Sequence, residues 1–208
     1  PENCIIRAAT KNSGEGFLIK QVGQNAVISG FTLLNFYDGF FVMNASPVIE
    51  HCIIDSSTYG IMTSRDWSAV EGQSPTSPLI RYNLIKNSEL DGIQSFEEGS
   101  PRIINNTIVH NGDFGIQTGF TNAHVYNNII AYNLTGLSDA IPDDGIVEHG
   151  YNLLWDNTTQ YAGVSPAVGE IASDPLLDDS TYHLPSGSPA IDSGHPDYQP
   201  DSDGTRPD

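Results

Sequence analysis

Short apolar runs recur along this chain at nearly regular intervals, and Asn or Gly marks the turns between them. A phrase of the form Ser-Pro-x-Ile occurs at residues 46–49, 77–80 and 100–103. After each phrase come a polar or small residue and an apolar one, and later a Gly that is itself followed by an apolar residue. Repetition with this period indicates a fold built as a stack of similar coils.

Aligning the phrases places residues of the same kind in three columns. The first column contains Phe31, Cys52, Asn83, Asn106, Asn128 and Asn152, which lie 21, 31, 23, 22 and 24 residues apart. The second column, two residues later, contains Leu33, Ile54, Ile85, Ile108, Ile130 and Leu154. The third column contains Gly39-Phe40, Gly60-Ile61, Gly92-Ile93, Gly115-Ile116 and Gly136-Leu137. Each period therefore carries at least two short apolar strands separated by turns.

The length of the unit and the spacing of its apolar residues select one kind of solenoid. The unit is too short for two strands joined by a full crossover helix, and its β-branched residues alternate with polar ones. Strands that return to the same column once per coil are parallel, and parallel crossovers are right-handed in nearly all proteins. The sequence therefore predicts an all-β, single-stranded, right-handed parallel β-helix of about seven coils.

Two segments of the repeat resemble a known superfamily. Residues 103–111 and 125–133 resemble the coils of pectate-lyase-like β-helix proteins, and the resemblance extends over about residues 1–160. In that superfamily Asn side chains stack along the helix axis. The resemblance implies this role for Asn83, Asn106, Asn128 and Asn152. Such a stack is physically sensible, because a buried amide needs partners and an identical neighbour about 4.8 Å away supplies them.

The end of the chain carries a second resemblance. Residues 174–176, 188–194 and 201–206 resemble the closing segment of large secreted bacterial β-helix surface proteins. A last strand or an anchoring region usually follows there, which implies a longer chain and an extracellular or bacterial cell-surface location. We therefore expect a parallel β-helix over residues 1–160 and an Asp- and Pro-rich capping segment over residues 161–208, in which Pro disfavours regular structure.

The charge of the chain restricts its partners. Its 26 acidic residues against 8 basic ones give a net charge of −18, whereas nucleic acids and anionic membrane surfaces require a basic footprint. Strongly anionic polysaccharides are disfavoured for the same reason. The sequence contains no apolar run approaching the ~18 residues of a membrane span. We therefore expect neither a nucleic-acid partner nor membrane insertion.

A loop that interrupts the period marks the candidate site. The step from Cys52 to Asn83 is 31 residues, and the excess falls between Thr63 and Thr76. We expect this loop and the matching edges of the next coils to form an outer wall of aromatic rings and carboxylates. Its predicted catalytic residues are Arg65, Asp66, Glu97 and Glu98. Its predicted substrate-binding residues are Trp67, Phe96, Phe120, Asp143 and Asp144.

The chemistry of this wall suits sugars. Aromatic faces pack on sugar rings, and two close carboxylates can perform acid and base catalysis or hold Ca²⁺. The signatures of the superfamily are incomplete, however, since the sequence lacks the Gly-His-Gly of polygalacturonase-like enzymes. For a lyase-like mechanism, Arg65 beside Asp66 is the candidate base in the loop. Exposed acids are also the ordinary solvated surface of an acidic protein, and that interpretation stands beside the wall.

Metal binding receives limited support from the sequence. The six histidines are dispersed and form no HExxH motif, which argues against zinc. In the tail, Asp201 and Asp203 precede a turn-forming Gly, as in calcium loops, and they are the predicted Ca²⁺ ligands.

Two functions remain open at this point. The first is an extracellular carbohydrate-interacting β-helix protein, similar to polysaccharide lyases or glycoside hydrolases, whose partner is a polysaccharide or a cell-surface glycan. The alternative is a noncatalytic, calcium-stabilised cell-surface or adhesion scaffold. The incomplete signatures favour binding or scaffolding over catalysis.

Overall fold

The computed structural model describes residues 4–65, 75–96, 98–142, 144–145, 147–200 and 203–208. In these ranges the chain forms twenty strands, arranged in three sheets, and no helix. Within the same ranges, accordingly, there is no helix of the length and hydrophobicity needed to cross a bilayer.

The chain visits the three sheets in the same order in every coil. Sheet A contains β1 (Cys4–Arg7), β4 (Phe31–Leu34), β7 (Ile53–Asp55), β10 (Leu84–Lys86), β13 (Thr107–Val109), β16 (Ile129–Ala131) and β19 (Leu153–Trp155). Sheet B contains β2 (Glu15–Lys20), β5 (Asp38–Met43), β8 (Tyr59–Ser64), β11 (Ile93–Phe96), β14 (Phe114–Gly119), β17 (Thr135–Asp139) and β20 (Thr159–Ala162). Sheet C contains β3 (Val27–Ser29), β6 (Val48–Glu50), β9 (Leu79–Arg81), β12 (Arg102–Ile104), β15 (His124–Tyr126) and β18 (Glu148–Gly150).

Each strand pairs in parallel with the strand of the same sheet in the neighbouring coil. In sheet A, Ile85 pairs with Ile54 on one side and with Ile108 on the other. In sheet B, Ile93 pairs with Ile61 in the same way. The columns of the sequence alignment are therefore stacked neighbours, which confirms the predicted all-β, right-handed parallel solenoid. The strands form six coils of three strands and two strands of a seventh.

The core consists of stacks of similar apolar side chains, one from each coil. Its fully buried members include Leu33, Ile54, Ile85, Ile108 and Ile130 of sheet A, Phe40, Ile61, Ile93 and Ile116 of sheet B, and Ile49, Ile80 and Ile103 of sheet C. Full burial of one such side chain contributes about 1.5–3 kcal/mol. Because the same residue type returns at the same place, each coil packs against a copy of itself.

A ladder of asparagines runs along the buried turn between sheets C and A, as the first column predicts. The side-chain Nδ2 atoms of Asn83, Asn106 and Asn128 each donate to the Oδ1 atom of the next asparagine at 3.0 Å. The same oxygens accept backbone N–H groups of the preceding coil, and Oδ1 of Asn83 accepts that of Cys52 at 3.0 Å. The stacking role implied by the resemblance is therefore present in the structure.

A second ladder, which the sequence analysis missed, occupies the turn between sheets A and B. The Nδ2 atoms of Asn111 and Asn133 donate to Asn133 and Asn157, each at 3.0 Å. These residues follow the first ladder by five positions in three successive coils, and this constant offset was the signal in the sequence. The ladder also explains a glycine, since a Cβ atom on Gly115 would lie 2.9 Å from Nδ2 of Asn133 and 2.8 Å from the carbonyl oxygen of Gly136.

The corner between sheets C and A turns through one left-handed residue per coil. The residues at this position are His51, Tyr82, Asn105, Asn127 and Tyr151, with φ values of 53°, 55°, 55°, 57° and 54°. Asn adopts this conformation more readily than most residues, and the large His and Tyr side chains are unusual there. We call this column the C–A corner.

The tail, defined as the described residues 163–200 and 203–208, lies against the outer face of sheet A. It contains no strand and makes one bridge, between Ile171 and Leu153. Ala190 of the tail is buried in a cluster with Ile129 and Leu153, whose side chains face outward from the solenoid. Further apolar side chains pack on this cluster: Trp155, Ile171, Leu177 and Leu184. The tail therefore covers the later coils of sheet A and leaves the earlier ones open.

Candidate functional site

Part of the predicted wall lies in the described residues. Arg65 and Glu98 come together, with Nη1 and Oε1 3.2 Å apart. Their side chains are 38% and 75% exposed, and an ion pair this exposed contributes at most about 1 kcal/mol. The other predicted catalytic residues, Asp66 and Glu97, lie outside the described residues. The catalytic assignment therefore stays a prediction.

Two of the three predicted aromatic residues of the wall, Phe96 and Phe120, lie in the described residues. Phe96 pairs with Gly119, and its ring lies so close to that glycine that a Cβ atom there would be 2.6 Å from the ring. Phe120 follows at an exposed, left-handed position, and Asp144 is exposed beyond it. Trp67 and Asp143 lie outside the described residues.

The predicted calcium ligands are described in part. Oδ1 of Asp203 accepts hydrogen bonds from the hydroxyl of Thr205 at 2.6 Å and from its backbone N–H at 2.9 Å. These two bonds lower the pKa of the Asp203 carboxyl. Asp201 lies outside the described residues, and no group of three or more His, Cys, Asp or Glu side chains in the described chain is placed to hold a metal ion. Calcium binding stays a prediction.

A concave surface lies elsewhere, where the tail approaches the C–A corner. Three adjoining pockets have cavity volumes of about 370, 370 and 390 Å³. The first extends over sheet C, and the other two extend over sheet A, with Tyr82 standing between the first and the second. Asn105 lines all three. We call the three pockets together the corner groove.

An aromatic platform stands at the middle of the corner groove. The ring of Tyr82 is 41% exposed and stacks on His51, with centroids 5.3 Å apart and planes at 8°. The guanidinium of Arg81 lies 5.5 Å from the centroid of Tyr82 and is held at 2.7 Å by Glu50. The tail supplies Tyr198 and Tyr182 to the facing walls. An aromatic ring of this kind, polar at one end, suits a ligand that is both apolar and hydroxylated.

Two buried amide atoms in the corner groove have complementary requirements. Oδ1 of Asn105 and Nδ2 of Asn127 are both buried and have no hydrogen-bond partner among the described residues. Asn127 is 4% exposed, and both residues line the same pocket. They occupy the C–A corner in adjacent coils, about 4.8 Å apart along the axis. One atom needs a donor and the other an acceptor, and a hydroxyl group that enters between the two side chains would supply both.

Two acids line the corner groove among the described residues. Asp197 lines the first pocket and Asp208 lines the third. General acid and base hydrolysis of a glycosidic bond uses two carboxylates on opposite sides of one bond.

Comparison with models of protein families identifies the family of the chain. A family model described as a right-handed β-helix region matches residues 2–130 and 65–148, which together make up more than half of the chain. The chain belongs to the right-handed β-helix family. A search of curated proteins found no match.

The right-handed β-helix also contains buried carboxylates away from the groove, which the sequence analysis did not select. Asp38 and Asp91 are 3% and 2% exposed and lie near Tyr59. Asp38 is the first residue of β5, and Asp91 precedes β11 by two positions. Burial raises the pKa of both carboxyls to about 6, and the charge of Glu15 adds to the effect at Asp38. Oδ1 of Asp38 has no partner among the described residues. We call these two acids and Tyr59 the Asp38 corner; the sequence signal was an Asp before the column glycine in two coils.

A third buried carboxylate ends the first asparagine ladder of the β-helix. Oε1 of Glu170 lies 2.7 Å from Nδ1 of His149 and 3.3 Å from Nδ2 of Asn152, the last ladder residue. Oε2 accepts from the hydroxyl of Tyr161 and from the backbone N–H of Ala167. Burial alone would raise the pKa of Glu170, but these donors outweigh it and lower that pKa. We call this group the Glu170 cluster.

Proposed function

We propose that this β-helix protein binds an uncharged carbohydrate in the corner groove and does not cleave it. The resemblance of its closing segment to secreted bacterial surface proteins supports an extracellular location, and the carbohydrate would then be a polysaccharide or a cell-surface glycan.

The observation that carries the proposal is the amide pair. Nδ2 of Asn127 and Oδ1 of Asn105 are a buried donor and a buried acceptor in one pocket, and neither has a partner among the described residues. A buried polar group without a partner costs about 1–3 kcal/mol, so a ligand that supplies one gains affinity. Hydroxyl groups donate and accept at once, and carbohydrates present them in rows.

The surroundings of the amide pair favour a neutral sugar. Arg81 is already paired with Glu50, so its charge is compensated. The net charge of −18 repels polyanions over the whole molecule. Tyr82 is 41% exposed and provides the apolar contact that sugar rings require. It lies beside the amides that would bind the hydroxyl groups of the sugar.

Binding of neutral tetrasaccharides prepared from cellulose, mannan, xylan and galactan tests the proposal. We expect at least one to bind at millimolar concentration or below by calorimetry. Tyr82→Asn keeps a residue suited to the left-handed backbone and removes the ring, and it should weaken binding about tenfold, or about 1.4 kcal/mol. Tyr37→Asn, at a similarly exposed tyrosine outside the groove, should bind like the wild type.

Two results would contradict the proposal. If none of the four tetrasaccharides binds, or if Tyr82→Asn binds as tightly as the wild type, the corner groove is not a carbohydrate site. Release of new reducing ends or unsaturated ends would show that the protein is catalytic. The wall around Arg65 and Glu98 would then be the candidate active site.

A further inference from the structure

We propose that carbohydrate binding in the corner groove and docking of the tail are coupled through Asn127, so that a bound sugar holds the tail against the solenoid. This inference rests on the proposed function and adds a regulatory property to the same site.

The groove exists because the tail is docked. Each of its three pockets has one wall from the solenoid and one from the tail. Tyr198 and Gln199 close the pocket over sheet C. Tyr182 and His183 close the two pockets over sheet A. Removal of the tail would leave an open outer face, and a ligand that fills the groove must therefore contact both walls.

Side-chain packing rather than strand pairing holds most of the tail. The ring of His195 packs at the C–A corner, with centroids 4.6 Å from Tyr151 and 5.7 Å from Tyr126. Further along sheet A, Leu177 packs on the outward apolar cluster. The described residues after Ile171 add no strand to any sheet. Segments held in this way open more readily than strands of a sheet.

Asn127 joins the tail to the ligand pocket through one amide group. Its Oδ1 atom accepts the backbone N–H of His195 at 2.8 Å. That bond fixes the rotation of the amide and leaves Nδ2 buried at the pocket, without a partner among the described residues. Hydrogen bonds at the two ends of one amide polarise it and strengthen each other. An undocked tail releases the amide, and the donor is then no longer positioned for a hydroxyl.

Linkage sets the size of the expected effect. A ligand that binds only the docked form shifts the docking equilibrium by the factor 1 + [L]/Kd, which is about 100 at a ligand concentration 100 times Kd. By reciprocity, docking of the tail strengthens sugar binding by the same factor by which the sugar strengthens docking. A change that favours the undocked tail therefore weakens apparent sugar binding in proportion to the loss of the docked fraction.

Amide hydrogen exchange of residues 174–200, measured with and without the tetrasaccharide that binds best of the four, tests the coupling. In the wild type we expect the sugar to slow exchange in this segment, by up to about 100-fold near saturation. Asn127→Gly removes the amide without backbone strain, since φ is 57°. It should speed exchange in the free protein and weaken sugar binding. Asn87→Gly is the matched control, because Asn87 has a φ of 55° and lies in the turn between sheets A and B. It should change neither the exchange of the tail nor the affinity for the sugar.

A remote variant separates coupling from direct contact. Leu177 packs on the outward cluster and lines none of the three pockets. Leu177→Ala should loosen the tail and weaken sugar binding together. If sugar binds and exchange of the tail does not change, or if Leu177→Ala leaves most tails undocked by exchange and the affinity is unchanged, the coupling is wrong and the proposed function stands. If no tetrasaccharide binds the wild type, the proposed function itself fails.

Discussion

The Asp38 corner and the Glu170 cluster bury carboxylates to a similar degree, yet their pKa values move in opposite directions. The side chain of Glu170 is 4% exposed, and Asp38 is 3% exposed as a residue. Burial raises the pKa of Asp38 to about 6, whereas the pKa of Glu170 is lowered. Burial is common to both sites and cannot be the cause of the difference.

The difference lies in the donors that surround each carboxylate. Glu170 receives hydrogen bonds from His149, Tyr161 and the backbone of Ala167. Oδ1 of Asp38 has no partner among the described residues, and Asp38 pairs across the strands with Glu15, a second acid. A carboxylate with several donors keeps its charge inside a protein, and one with few donors holds its proton to a higher pH. The first arrangement stabilises the closing end of the solenoid, and the second makes a coil sensitive to pH.

The largest expected effect is at the Glu170 cluster. Glu170→Ala removes the acceptor for His149 and Tyr161 and leaves their buried donors unpaired. We expect a loss of about 4 kcal/mol in the free energy of unfolding, measured by urea denaturation at pH 7. Glu148→Ala is the control, because that exposed glutamate pairs with His124 at 3.1 Å and should cost less than about 1 kcal/mol. Equal losses in the free energy of unfolding for the two variants would mean that buried Glu170 contributes no more stability than exposed Glu148.

A smaller effect of opposite sign is expected at Asp38. Its pKa is higher in the folded state than the usual 3.8, so the folded protein holds a proton that the unfolded chain has released. This stability is present below about pH 4 and is lost as the pH rises through about 6. A shift of about two pKa units corresponds to at most about 3 kcal/mol in the free energy of unfolding. We therefore expect Asp38→Asn to raise the free energy of unfolding by about 2 kcal/mol at pH 7.5.

The control for Asp38 is the same variant at low pH. At pH 4 the wild-type carboxyl is already protonated, so Asp38→Asn should have little effect there. Denaturation curves at both values compare the two states directly. An Asp38→Asn variant that is less stable than the wild type at pH 7.5 would mean that the carboxylate has a stabilising partner in solution and that its pKa is not raised.

The smallest expected effect is that of Glu170 on stability at acid pH, where it can be compared with the effect of Asp38. Because the pKa of Glu170 is lowered in the folded state, its contribution is present above about pH 4.3, the usual value for Glu, and is lost as the pH falls. Glu170→Gln should therefore flatten the acid side of the stability profile, and Asp38→Asn should flatten the side between pH 4 and 6. A Glu170→Gln protein with the full acid loss of the wild type would assign that loss to other carboxyls.

The solenoid itself is readable from the sequence because it repeats. Ile54, Ile85 and Ile108 pair as their columns predict, and the first asparagine ladder follows the column of Asn83. The second ladder is equally regular, with Asn111, Asn133 and Asn157 five positions after the residues of the first. A repeated residue at a constant offset carries structural information even when it is polar.

The candidate site was harder to predict, because it depends on contacts that have no period. The corner groove forms where the tail meets Tyr82 and Asn105, and nothing in the repeat specifies where a Pro-rich segment docks. The predicted wall followed an irregular loop, a reasonable guide to function, but Asp66 and Trp67 of that loop lie outside the described residues. The buried state of Asp38 arises from Tyr59 and Glu15 in adjacent coils, which the local sequence does not reveal.

The asparagine ladders also affect the choice of expression host for this protein. Asn133-Leu134-Thr135 and Asn157-Thr158-Thr159 are acceptor sequences for N-linked glycans in a eukaryotic secretory pathway. Both asparagines are buried in the second ladder, at 4% and 7% exposure, and a glycan attached to the nascent chain would occupy the amide that each contributes. Glycosylation before folding would thus remove rungs from the ladder, whereas a bacterial host that leaves these amides unmodified preserves it.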